Sequence, residues 1–507
     1  MVARGQRPGR AHAARWCAVS LVQSIDYLAI AAPLLVAVLA LAVLVADSFL
    51  PSALRHVTGW AAAGGLAVAG ALLVPLVGER RSTFCVPGDG LLLPACSYVV
   101  DDLTLVFQAL VVAGALVCVL LSLDTVRDTA IPAGEYYFLL LASVTGALTL
   151  AASRDLLTLV VALEVVSLPA FALVALRRFD SRSSEAALKL FLVSVVSTAV
   201  MLFGLSLVYG VTGQVHLARV ATALDDPGIR QPALVLGVTL ALAGFGFKVA
   251  AVPFHFWAPD AYEGAPVPVA AYLSVVSKAA GFVGLAVLLT EGFAPYADVW
   301  APAVAVLAAA TMTVGNLAAL RQRKAVRLLA WSSVAQSGYM LVPLGAASVG
   351  EIDRVLPATV AYVVAYSVMN LGAFSVVTLV GRHREANRLA DYRGLGRTEP
   401  LSAFALAFAL ACLAGLPPGL LGLFAKIVVF QAPVDQGVGW LAVVMAVNVV
   451  IGLYYYLAWA ATLYARADPA TRPPSYRISW SDGVAVGATL GAALWLSVVP
   501  DPILRFG

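Results

Sequence analysis

The chain of 507 residues is 61% hydrophobic and only 12% charged, about half the charged share of a soluble domain, which excludes a water-soluble globular protein. Its formal net charge of +4 is too diffuse for a nucleic-acid footprint. Its five cysteines, Cys17, Cys85, Cys96, Cys118 and Cys412, fall in no CxxC or metal-ligand spacing that would hold a redox centre.

In chain order, the opening stretch MVARGQRPGRAHAARW is basic, and the apolar run after it is too short for a secretory signal. Residues 1–26 therefore read as an N-terminal extension, either an extramembrane tail or the product of an upstream start codon, with the chain proper opening near Val22. Apolar runs of about 20 residues then predict membrane helices, the first three at 27–49, 59–77 and 102–122. The loop before the third carries Cys85 and Cys96, which form a disulfide if it faces an oxidising side; two free thiols are the alternative.

Spans at 137–153 and 155–176 follow. In the second, DLLTLVVALEVVSLPAFALVAL, Glu164 lies mid-span with Ser167 as its one polar neighbour. A carboxylate there needs a cation or a proton. The pairing expected is with Lys248; a protonated glutamic acid making one structural hydrogen bond is the alternative.

Lys189 lies one turn inside the span 185–209, and Lys248 lies deep in 233–257. Pro253 removes a backbone hydrogen bond one turn beyond Lys248 and frees carbonyls there. Lys278 falls within 267–291; spans at 299–320, 325–344 and 355–380 come next. The polar loop GRHREANRLADYRGLGRTEP (381–400) is expected to dock on a neighbour or the membrane surface, or else to be solvated. In 400–430, Pro417 and Pro418 precede Lys426 by two turns, and spans at 436–463 and 481–500 complete about fourteen helices.

The fold class expected is an all-α polytopic membrane protein. Residues 27–507 form its transmembrane domain, with two inverted-topology repeats at about 137–291 and 299–463. Each contains a broken helix with one lysine, the pattern that brackets an ion site near the midplane. An even number of spans puts both termini on one side. The loops richer in arginine, among them 177–182, 321–327 and 382–397, are then cytoplasmic, which sends both termini outside. The arginines of the N-terminal stretch oppose that assignment and are outvoted.

Arginine supplies nearly all the positive charge of the loops, whereas lysine occurs only at Lys189, Lys248, Lys278, Lys324 and Lys426, four of them inside predicted spans. A charged side chain at mid-bilayer costs at least ~2.5 to 3.5 kcal/mol and is kept for a pathway or a partner. Arginine would carry the same cost and never release its proton; lysine in an apolar setting can. The bland alternative is snorkelling, most applicable to Lys189 near its helix end.

Five motifs in order carry a resemblance: ALEVVSLPAFALVAL (162–176), SSEAALKLFLVS (183–194), FKVAAVPFHFWAPDAYEGAPVPVAAYLSVVSKAAGF (247–282), VRLLAWSSVAQSGYM (326–340) and GLPPGLLGLFAKIVVF (415–430). Together they resemble the antiporter-like membrane subunits of respiratory complex I, from about residue 27 to the end. APDAYEGAP, a lysine at Lys426 where M-type and Mrp D-type relatives usually have glutamate, and an end soon after the last span favour the subunit N group; L-type relatives continue into a long lateral helix.

The resemblance implies a proton-translocating subunit of an NADH-quinone oxidoreductase in the bacterial inner membrane. It would carry no redox centre of its own; FMN, iron–sulfur clusters, NADH and a quinone would be handled by other subunits. The partners implied are neighbouring antiporter-like and small membrane subunits, the lipid bilayer and protons, with no nucleic acid. Glu164 resembles the fifth-helix glutamate that pairs with the broken-helix lysine, Lys248. Lys189 resembles the sixth-helix lysine that modulates that pair, Lys278 the central lysine, and Lys426 the lysine leading to the exit, while His255 matches a histidine just past the first break. Relatives often have a histidine where Gln336 stands, implying a water-mediated step here, and many have a lysine where Val326 stands. The rival readings are a sodium-coupled Mrp-type antiporter subunit, a membrane-bound hydrogenase subunit and a structural scaffold.

Overall fold

In the computed structural model, residues 25–504 are described except 52–53, 89–93, 130, 178–179, 227, 229–230, 385 and 467–477. The basic opening stretch and Cys17 thus lie outside the described residues. Lipid offers the backbone no hydrogen bonds, so each apolar run closes its bonds internally as a helix.

The first helices are α1 (Ala31–Phe49), α2 (His56–Ala71), α3 (Asp102–Asp128), α4 (Ala133–Ala152), α5 (Leu156–Val174) and α6 (Ser181–Thr212). Carboxylates cap three of them: Asp101 accepts from the Thr104 amide, Asp155 from Leu157 and Thr158, and Asp180 from Arg182. A short α7 (Leu217–Leu224) lies before α8 (Pro232–Lys248), which breaks and resumes as α9 (Trp257–Gly264). Next, α10 (Val267–Tyr272) and α11 (Lys278–Val287) are joined by the π-helical stretch Leu273–Ser277. Then come α12 (Ala297–Ala319), α13 (Ala325–Gly345) and α14 (Ile352–His383). A single turn, α15 (Leu395–Thr398), leads to α16 (Pro400–Ala414), which breaks before α17 (Leu420–Asp435). The chain ends with α18 (Gly439–Tyr464), α19 (Trp480–Val498) and the short α20 (Asp501–Leu504).

Eleven helices among the described residues are long and apolar enough to cross a membrane. The other three predicted spans fall on the pair α8/α9, on α13, whose serines, arginine and glutamine dilute its apolar content, and on the pair α16/α17. The centre of the bundle is the α10–α11 helix, 94% buried over its apolar window, flanked by α13 and by α14 at 89%. The rim helices α1 and α6 are only 28% buried and turn leucines, valines and phenylalanines outward, as a lipid-facing surface requires.

Three local structures depart from the sequence reading. First, residues between α2 and α3 form an antiparallel hairpin, β1 (Arg81–Val86) and β2 (Ala95–Val100), with Cys85 opposite Cys96 and the two joined as a disulfide. Short strands rich in β-branched and aromatic residues leave no helical period to read. Second, Arg154 is buried beneath this hairpin: its amide bonds the Ser97 carbonyl at 2.9 Å, and its guanidinium joins Asp101 and Glu291, each at 2.9 Å. Third, the described part of the 381–400 loop folds back on its own chain. Tyr392 is fully buried against Trp459 and donates to Asn387 Oδ1 at 2.6 Å, while Ala325 and Leu389 make backbone bonds across to Asn387 and Arg323.

Candidate functional site

At the first break, α8 ends on Lys248, and Ala250 takes a positive φ of 56° before the Val252–Pro253 peptide turns the chain. The loop is held from outside itself. The Val252 amide donates to Thr311 Oγ1 at 2.9 Å and the Trp257 indole to the Phe247 carbonyl at 3.0 Å. Lys248 is 7% exposed and donates to Ser167 Oγ, which in turn donates to the Leu163 carbonyl at 2.6 Å. A small cavity lined by Ser167, Phe171, Leu190, Trp257 and Ser277 adjoins Lys248.

Glu164 is one turn before Ser167 on α5, but it does not form an ion pair with Lys248. Instead it accepts from Thr198 Oγ1 on α6 at 2.7 Å. The expected partners are thus not in direct contact, each resting on a hydroxyl, although Glu164 still interacts electrostatically with Lys248. Lys189 is not beside Glu164 either. It is half exposed and paired with Glu185 at 2.7 Å and with Asp260 of α9 at 3.3 Å. Asp260 also meets Arg327 at 3.0 Å, and Arg327 meets Glu263 at 2.7 Å, with Lys324 on the same carboxylate. The His255 ring packs 5.4 Å from Trp331 and makes no hydrogen bond to any of these lysines.

Lys278 starts α11 where the π-helical stretch ends, and such local unwinding re-aims side chains. It is 2% exposed and donates to the Ser333 carbonyl at 2.7 Å, to Ser333 Oγ and to Ser337 Oγ at 2.8 Å. One turn further on, Gly281 faces the Lys248 stem so closely that a Cβ would stand 3.0 Å from Lys248 Cγ. Lys248 therefore packs from α8 against the face of the central helix that carries Lys278.

At the second break, α16 ends at Gly415 with φ 79°, and the Pro417–Pro418 turn starts α17. The carbonyls left over at the end of α16 are the partners of Lys426. Its ammonium lies 2.8 Å from the Leu413 oxygen and 2.5 Å from that of Ala414, over the Tyr339 ring. The negative end of a helix dipole thus supplies what no carboxylate does. A Cβ on Gly422 would stand 1.6 Å from the Cys412 oxygen, so only glycine lets α17 lie this close to α16.

Among the described residues, no carboxylate is within ion-pair distance of Lys248, Lys278 or Lys426, and no cluster of three or more His, Cys, Asp or Glu is placed to hold a metal. Sequence reasoning missed Thr198, Ser333, Ser337, Tyr362 and Tyr456. Serine, threonine and tyrosine are common in spans, and only three-dimensional convergence distinguishes these: Thr198 on Glu164, Ser333 and Ser337 on Lys278, Tyr362 and Tyr456 on Gln336. The acidic residues of APDAYEGAP were on view, but their basic partner Arg327 is 64 to 67 residues away.

A family model described as NADH:quinone oxidoreductase/Mrp antiporter, TM matches residues 153–452. The NADH-quinone oxidoreductase subunit N 2 of Streptomyces griseus is 58% identical over 96% of this chain and 94% of its own length. The subunit N of Salinispora tropica is 46% identical over 90% and 88%. Among solved structures, a chain of respiratory complex I from Thermus thermophilus with bound aureothin is 33% identical, covering 94% of this chain and 98% of its own, with a TM-score of 0.74. A chain of the Mrp complex from Dietzia has a TM-score of 0.81 over 94% and 96% at 22% identity, a likeness of fold alone. The chain belongs to the NADH:quinone oxidoreductase/Mrp antiporter membrane family and, within it, to subunit N of NADH-quinone oxidoreductase.

Proposed function

We propose that the chain moves protons across the membrane through Glu164, Lys248, Lys278 and Lys426, driven by quinone reduction in partner subunits. The observation that carries this reading is the set of three buried lysines resting on hydroxyls and carbonyls rather than on carboxylates. Each ammonium is held well enough to exist and loosely enough to give up its proton. When Glu164 leaves Thr198 for Lys248 the charge on Lys248 is favoured; when it returns, the proton is released toward Lys278 and on to Lys426, a shift of coupled titrating sites. Lys189 acts from the rim through Asp260 and α9, and His255 lines the first break.

The halves at about 137–291 and 299–463 act as inverted repeats around this row. FMN, iron–sulfur clusters, NADH and quinone are assigned to other subunits, and neighbouring antiporter-like and small membrane subunits are the direct partners. The Cys85–Cys96 disulfide supports an extracytoplasmic hairpin, which agrees with both termini on that side of the inner membrane. The test is Lys248→Met and Lys278→Met in the assembled complex, with quinone reduction and proton pumping measured together. Loss of both with normal assembly is expected; normal pumping in both variants would leave the chain a scaffold.

A further inference from the structure

The helix that follows the first break cannot hold itself. α9 has eight residues and no side chain caps its first turn, whereas an isolated helix needs about 12 to 15 residues to be even marginally stable. Its position is therefore set by its attachments. Its first residue is tied to the far side of the break, where the Trp257 indole donates at 3.0 Å to the carbonyl of Phe247, the residue before Lys248. Its last residue is seated on α6: a Cβ on Gly264 would stand 2.5 Å from Ala186 Cβ.

A third attachment crosses to the second half of the chain. Asp260 and Glu263 lie one turn apart on α9, and Nη1 of Arg327 on α13 donates to both, at 3.0 and 2.7 Å. Lys324 meets the other oxygen of Glu263. The base of this contact is firm, because the Ala325 amide donates to the Asn387 carbonyl and the Leu389 amide to the Arg323 carbonyl, each at 2.9 Å, pinning the start of α13 to the folded 381–400 loop. With Lys189 and Glu185 the cluster holds three cations and three carboxylates, 24 to 65% exposed. Ion pairs that exposed add little to stability, so what the cluster supplies is alignment.

We propose that Arg327 is a positioning residue for Lys248. By holding both carboxylates it sets α9 against α13, and through Trp257 and the Phe247 carbonyl it sets the last turn of α8, on which Lys248 stands. Thr311 of α12 braces the same break through the Val252 amide. The first break is thus held in register from the second half of the chain. This proposal rests on the proton-translocation reading of Lys248 and adds what keeps that lysine in place.

The test begins with Arg327→Gln in the complete complex, reconstituted in vesicles, with assembly, quinone reduction and proton pumping all measured. Assembly is expected to stay normal and pumping to fall at least several-fold, since a small misplacement of a reacting group is costly even when the altered residue is remote. The pair Glu263→Cys and Arg327→Cys removes the same contact, and joining the two thiols with a short bifunctional reagent puts a tether in its place. The tether is expected to return most of the lost pumping, which a role in charge balance would not allow; single-cysteine variants treated alike are the controls. Undiminished pumping in Arg327→Gln, or a tether that restores nothing, would overturn the proposal. If the cysteine pair does not assemble, Arg327→Gln is combined with Trp257→Phe: a joint loss no greater than the larger single loss is expected, and losses that multiply would overturn the route through α9. Lys248→Met runs in parallel. Normal pumping there defeats the proton reading as a whole, whereas lost pumping there beside normal pumping in Arg327→Gln defeats the positioning role alone.

Discussion

Lys426 reaches back from α17 to the helix before it, and its ammonium stands 2.8 Å from the Leu413 carbonyl. The break in α16/α17 is what makes that carbonyl available, since an unbroken helix would have used it for its own backbone. The proline turn and the lysine are therefore one device.

The glycine at that break sits where a side chain would touch the device. A Cβ on Gly415 would lie 2.9 Å from Lys426 Cδ and 3.0 Å from Nζ, and the residue holds φ at 79°. Gly415→Ala is expected to cost about 1 to 2 kcal/mol in backbone strain and to push the ammonium off the carbonyls. Proton pumping by the assembled complex should drop several-fold; a normal proton-to-electron ratio would contradict this.

Glu164 rests on the Thr198 hydroxyl at 2.7 Å. Thr198→Val keeps the shape and removes the donor, a loss of about 1.5 to 3 kcal/mol for a bond to a charged group, while Thr198→Ser keeps the donor. Coupled turnover should fall in the valine variant and stay near normal in the serine variant. Equal behaviour of the two would show that the hydroxyl is idle.

Lys189 meets Asp260, not Glu164. In a double-mutant cycle, Lys189→Met is expected to be additive with Glu164→Gln to within about 0.5 kcal/mol of the activation free energy, and non-additive with Asp260→Asn. Strong coupling to Glu164 instead would mean that the lysine leaves the rim during turnover.

The hairpin end of the protein has a predictable acid limit. Burial alone would raise the Asp101 carboxyl, but the Arg154 guanidinium and the Thr104 amide hold it below the ordinary carboxylate value. A carboxylate depressed on folding stabilises above its unfolded value of about 3.9 and loses that contribution as pH falls through the folded value. Amide-exchange protection of residues 95–101 should be flat from neutral pH to about 4 and fall below that; loss already near pH 6 would implicate another group.

The Cys85–Cys96 bond makes orientation measurable. After mild reduction of intact cells, a membrane-impermeant thiol reagent should label this pair, while the buried Cys118 and Cys412 stay unlabelled. Labelling only after the cells are opened would reverse the proposed topology.

Periodicity and charge made the helices and four of the buried or rim lysines legible, because a cation or a proline in an apolar run is conspicuous. What was not legible is contact between helices. Ser333 cannot be told from any other span serine until α11 brings Lys278 against it, and Thr198 is unremarkable until α5 sets Glu164 opposite. The expected pairing of Glu164 with Lys248 followed from charge alone and survives as an electrostatic interaction, whereas the hydroxyls of Thr198 and Ser167, which make the direct contacts, carry no charge to announce them. Likewise the 381–400 loop read as polar and outward, but Tyr392 and Asn387 fold it inward.

The contact at Gly422 limits how the second lysine can travel. With bare backbone of α17 seated on the Cys412 carbonyl, that helix has no slack to slide or roll against α16 without collision. Lys426 is a swinging arm on a fixed pivot, and its excursion is bounded by four methylene groups. Any throw longer than that arm has to be made by neighbours coming to it.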